Sequence, residues 1–223
     1  MTIKLFIEAI IKFALGVLLI GALIFLPAGT FAFVGGWLLM GILFVPMFIV
    51  GLVMMAKDPS LLASRLDAKE KEKAQSVVVK LSGLMFILGF VLAGLDFRFG
   101  WVKLPFIVNV IASIIFIIAY VIYAEVLREN TYLSRTIKVV EGQKVVSTGL
   151  YGIVRHPMYF ATILLFMSMP FVLGSLVSFI VFLAYPFIIA LRIKNEEEVL
   201  TRELDGYEDY KKKVKYRMIP FIW

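Results

Sequence analysis

Long apolar runs separated by short polar breaks dominate the chain. Runs at 5–26, 33–55, 79–95 and 104–126 fall in the ~17–25 residue range that carries a helix across a bilayer. Two more, 158–173 and 176–191, are barely long enough, with Pro170 and Gly174-Ser175 at the bend between them. That pattern predicts a tight helical hairpin. Pro27-Ala28-Gly29 breaks the first two runs apart, and Asp96-Phe97-Arg98-Phe99-Gly100-Trp101 forms a short loop with interfacial aromatics. From Arg192 the chain turns polar and amphipathic, then closes on Ile219-Pro220-Phe221-Ile222-Trp223. The expected fold is all-α: a polytopic membrane protein with five or six transmembrane helices and a cytosolic C-terminal amphipathic helix.

Polar segments set the orientation. Lysines and arginines gather at 57–80, 128–155 and 192–217, which the positive-inside bias reads as the cytosolic face. Counting spans from a cytosolic N-terminus puts the first two of these inside, so charge and hydropathy agree. The first run resembles a signal peptide, but Glu8 and Lys12 interrupt it and a second span follows at once. A retained helix is expected, with Glu8 and Lys12 four apart and able to pair. The alternating charges of 67–73 suggest a solvated helix or loop. Residues 138–146 suggest a small hairpin or extended loop turning at Glu141-Gly142-Gln143.

Composition then narrows the chemistry. The 223 residues are 61% hydrophobic and include no cysteine, which excludes disulfides, thiolate metal sites and cysteine nucleophiles. A single histidine argues against a histidine-rich metal centre. The net charge of +7 is explained by topology and by anionic headgroups rather than by nucleic acid. Neither G-x-G-x-x-G after a strand, nor a Walker A motif, nor H-E-x-x-H is present.

Two polar clusters flank the predicted hairpin, where charge near hydrocarbon is costly. The first is Arg155-His156-Pro157-Met158-Tyr159. Pro157 suits the first turn of a helix, which leaves Arg155 and His156 beside a helix N-terminus that attracts anions. Ordinary interfacial anchoring is the plainer reading of the same residues. The second cluster is Glu196-Glu197-Glu198. On a helix whose apolar stripe is Ile193, Leu200, Leu204 and Tyr207, Glu196 and Glu197 flank the stripe and Glu198 points away. Pairing with Arg192 and a solvated rim is the plainer alternative there. Together the clusters suit a zwitterionic or sulfonium ligand that carries a carboxylate.

In order along the chain stand Gly149-Leu150-Tyr151, Val154-Arg155-His156-Pro157-Met158-Tyr159, Glu196-Glu197-Glu198-Val199-Leu200 and Tyr207-Glu208-Asp209-Tyr210. This set resembles the membrane-embedded isoprenylcysteine carboxyl methyltransferase and phospholipid methyltransferase superfamily. Arg128-Glu129-Asn130 and Ser134-Arg135-Thr136 resemble a segment that precedes that core in bacterial members. The resemblance implies a methyltransferase core at 127–223, with 1–126 as an acceptor-side scaffold. It implies S-adenosyl-L-methionine as cofactor, held by Arg155, His156 and Tyr159 from one cluster and Glu196 and Glu197 from the other. Tyr151 and Tyr207 would pack near the adenine or close the pocket. Arg135, Glu129 and Asn130 are candidates for orienting the acceptor, a lipid or a prenylated small molecule or peptide. The active site would face the cytosol. The oligomeric state is left open.

Two rival readings remain at this level. The 207–222 tail also looks like the end of membrane sterol reductases, which would make the cofactor NADPH. A non-catalytic lipid-binding membrane protein is the other.

Overall fold

The computed structural model describes residues 3–66, 73–133, 137 and 139–223. Among them are nine α-helices, one 3₁₀ turn and no strand. The helices are α1 Ile3–Ala28, α2 Val34–Lys57, α3 Pro59–Leu66, α4 Lys73–Phe99, α5 Phe106–Glu129, α6 Pro157–Val172, α7 Leu176–Phe182, α8 Ala184–Glu203 and α9 Tyr207–Lys213. Five stretches are long and apolar enough to cross a membrane: α1, α2, Ser76–Phe99 within α4, α5, and Leu176–Glu203 across α7 and α8. The sixth candidate, α6, has 16 residues. At ~1.5 Å per residue it reaches ~24 Å, short of a ~30 Å hydrocarbon core. The fold is therefore the all-helical membrane architecture that the apolar pattern predicts.

Helix ends follow local chemistry. Gly29 takes a left-handed φ of +69° and ends α1 one residue after Ala28. Pro157 opens α6 with His156 as its N-cap. Pro186 lacks the N–H that the Phe182 carbonyl would receive, and the α7–α8 break lies at Leu183.

Close approach by small residues packs the bundle, since lipid offers no hydrophobic drive between helices. A Cβ on Gly94 of α4 would fall 2.5 Å from the Ile24 carbonyl of α1. One on Gly89 would fall 2.3 Å from the Phe182 ring of α7. Phe33, Phe90, Phe116 and Phe182 are fully buried in the resulting core. Polar ties fix one end of the bundle. Asp96, buried on α4, accepts from Ser175 Oγ at 2.6 Å and from Val102 N–H at 2.9 Å. Asn109 of α5 donates to the Val172 carbonyl at 2.9 Å. Each of these buried polar groups has a partner, as a low-dielectric interior requires.

Two expectations change in detail, and one open alternative narrows. The segment from Arg192 is not one amphipathic helix: its first part continues the membrane-crossing α8, and a break at 204–206 with Gly206 at φ +82° separates it from the short α9. Of the two forms expected for 138–146, the described residues 139–148 take the extended loop, with its turn at the expected place, where Gln143 N–H donates to Val140 O at 3.0 Å. Finally, α4 begins at Lys73, six residues before the predicted span. Residues 67–72 of the alternating charge run lie outside the described residues.

Candidate functional site

At the opposite end of the bundle from Asp96, the C-terminus of α5, the 139–148 loop, the N-terminus of α6, the end of α8, and α9 enclose a cavity. Its empty volume is about 810 Å³ including the open mouth.

One wall is an ionic knot around Glu197. The run Val154-Arg155-His156 is pinned by its backbone: Arg155 N–H donates to Tyr216 O at 3.0 Å and His156 N–H to Arg217 O at 2.7 Å. This sets the Arg155 side chain facing α8. Arg155 Nε donates to Glu197 Oε1 at 2.7 Å, and its Nη1 donates to the Val214 and Lys215 carbonyls at 2.8 Å each. His156 Nε2 lies 3.1 Å from the same Glu197 oxygen. Arg217 Nε donates to the other oxygen, Oε2, at 2.9 Å. Glu197 is 5% exposed, so its charge needs these partners.

A second group lies on the cavity side. The Tyr159 hydroxyl donates to Glu196 Oε2 and accepts from Arg192 Nε at 2.9 Å. Tyr210 Oη donates to the Tyr151 carbonyl at 2.7 Å. Tyr207, from the first turn of α9, is buried in a small apolar cluster with Leu204, Tyr210 and Val214. Its buried hydroxyl has no hydrogen-bond partner among the described residues. Burial first, then the Glu197 and Glu196 carboxylates, push the Tyr207 phenol well above its ordinary pKa. Burial does the same to Tyr151. Both therefore stay neutral, and Tyr207 presents an unused donor and acceptor at the cavity wall. Buried polar atoms are rarely left so.

Seven of the ten residues singled out from sequence line this one cavity: Asn130, Tyr151, Arg155, His156, Tyr159, Glu196 and Tyr207. Glu197 does not; it stands behind the wall and holds Arg155 and His156 in place. Glu129 also misses the cavity. Its carboxylate takes the Thr148 hydroxyl and lies over Gly149, where a Cβ would meet it at 3.0 Å. Gly149 has φ +52°, so this close turn favours glycine twice over. Arg135 lies outside the described residues. Sequence reasoning gave no role to Arg217, Tyr210 or the Lys144-Val145 stretch. Tyr210 and Arg217 stand in segments that carry a resemblance, but their partners arrive only through the fold of the loop and tail.

Residues 106–202 match the Isoprenylcysteine carboxyl methyltransferase (ICMT) family. The match opens on the first residue of α5 and takes in Asn130 at its end and the α6 and α8 residues of the cavity, together with Arg155-His156 and Glu196-Glu197, but ends before α9. It supports a membrane methyltransferase, in keeping with five helices long enough to cross a bilayer. No curated protein matches the chain.

Proposed function

We propose, from that family match, that the chain transfers a methyl group from S-adenosyl-L-methionine to a lipid-like acceptor at the cytosolic boundary of the membrane. The acceptor group is an isoprenylcysteine-type carboxylate or a phospholipid amine. The observation that carries the reading is the cavity's mixed chemistry around the unpartnered Tyr207 hydroxyl. Arg155, His156 and Arg192 supply positive charge or donors, Glu196 supplies a carboxylate, and Leu200 and Leu204 supply apolar wall. A ligand with a carboxylate, an ammonium, ribose hydroxyls and a flat base uses all of these.

When bound, the cofactor supplies an electrophilic methyl carbon on a sulfonium. The protein contributes holding and exclusion of water. Glu196 takes the ammonium or the ribose hydroxyls in this reading; Tyr159 donates to its carboxylate, and Arg192 in turn holds the Tyr159 hydroxyl. His156 and Tyr207 offer hydrogen bonds to the rest of the ligand. Glu197 acts one step removed, keeping Arg155 and His156 at the wall. An acceptor carboxylate is already ionised at neutral pH and needs no base.

The test is thermal stability of detergent-purified protein with S-adenosylhomocysteine against NADPH at equal concentration. A ligand that binds only the folded state raises stability. S-adenosylhomocysteine alone is expected to stabilise. Stabilisation by NADPH alone would move the assignment to a reductase, and no effect from either would favour a lipid-binding protein.

A further inference from the structure

The segment 214–223 touches the cavity wall on one side and carries bare apolar side chains on the other. Its first part is strapped to 155–156 through the Tyr216 and Arg217 carbonyls. The Arg217 side chain continues inward to Glu197 Oε2 at 2.9 Å. Over that guanidinium lies the Trp223 ring, with 5.4 Å from Cζ to the ring centroid. A stacked aromatic fixes a guanidinium and shields its ion pair from water.

Beyond Arg217 the chain folds into a tight turn. Met218 N–H and Ile219 N–H both donate to the Trp223 carbonyl, at 3.0 and 3.1 Å. Met218 is buried, and Ile219 and Trp223 pack against the same core that the crossing helices build. The turn is therefore anchored to the bundle of crossing helices. Phe221 holds φ +65°, a conformation that side chains other than glycine rarely adopt. Phe221 and Ile222 are 88% and 78% exposed. Two bare large apolar residues, on a turn anchored to that bundle, fit the interface of a lipid bilayer.

We propose that this turn is a membrane-docked latch for the cofactor site. Phe221 and Ile222 insert into the bilayer interface, Trp223 covers Arg217, and Arg217 is a positioning residue that fixes Glu197 and, through it, Arg155 and His156. Bilayer contact is thereby coupled to the geometry of the cavity wall. The inference rests on the methyl-transfer reading above.

The experiment measures S-adenosylhomocysteine affinity by calorimetry, with protein in lipid nanodiscs. Arg217→Ala and Trp223→Ala are expected to weaken binding by about tenfold, the scale of a partly desolvated cation–π contact. Trp223→Phe keeps a ring over Arg217 and is expected to restore most of the affinity, which a simple loss of folded protein would not allow. Phe221→Ser with Ile222→Ser is expected to weaken binding several-fold in nanodiscs. A bimane on Ile222→Cys, the only cysteine then present, is expected to be quenched by brominated lipid. Wild-type affinity in Arg217→Ala and Trp223→Ala would overturn the positioning role. An unquenched probe at 222 would overturn the docking. A wild-type protein that binds no S-adenosylhomocysteine would sink the methyl-transfer reading and this inference together.

Discussion

Glu197 lies 42 residues from Arg155 and 20 from Arg217, and the fold gives each a share of its carboxylate. Sequence spacing placed Glu196 and Glu197 beside the packed face of their helix and Glu198 away from it, and Glu198 is exposed. Spacing alone did not divide their labour, because a helical wheel ranks positions by angle and not by which partners arrive from elsewhere. That division is testable. Glu197→Ala leaves the buried Arg155 without its counter-ion and is expected to cost about 3 kcal/mol in chemical unfolding, near the low end for buried pairs because Arg217 keeps some solvent. Glu196→Gln is expected to leave unfolding nearly unchanged while weakening S-adenosylhomocysteine. Tyr207→Phe separates the two effects further. Removing a buried, unpartnered hydroxyl is expected to hold or raise the stability of the ligand-free protein by up to ~1–3 kcal/mol. The same variant should bind the cofactor product more weakly; lower stability with intact binding would show that the hydroxyl has a structural partner instead.

Elements were legible where apolar runs are long. The first four spans stand within a few residues of their predicted ends, except that α4 starts at Lys73. Short elements were not, because amphipathic texture does not reveal where a helix breaks. The tail reads as one helix, yet Gly206 with positive φ splits it, and the split lets α9 fold back so that Tyr207 and Tyr210 close the cavity. Contacts between elements hinge on glycines that carry no sequence signature beyond smallness. Gly94→Ala puts a methyl 2.5 Å from a backbone oxygen of α1, so the helices must part. Overpacking of this kind is expected to cost ~1–3 kcal/mol, visible as a lower unfolding temperature, with cofactor affinity per folded molecule retained. Gly83, which has open space around it, is the control; an equal loss there would point to helix propensity rather than packing.

At the scale of the molecule, the positive-inside pattern implies that the 139–148 loop faces the cytosol and the α4–α5 loop the other side. With no native cysteine, single replacements report this directly. Glu141→Cys is expected to react with an impermeant maleimide only when the cytosolic side is accessible, and Lys103→Cys only from the opposite side. The reverse labelling would invert the orientation and place the cavity outside. The amino-acid sequence by itself determined the membrane class, the long apolar runs and the two polar clusters. Each of those is a local property: run length against bilayer thickness, or charge set beside an apolar run. Only the tertiary structure decided that Glu197 is a buried strut while Glu196 faces the cavity, that Glu129 is tied to Thr148, that Arg217 reaches Glu197 and that Trp223 lies over Arg217. Those roles depend on which donors converge from distant segments, and convergence exists only once the chain has packed.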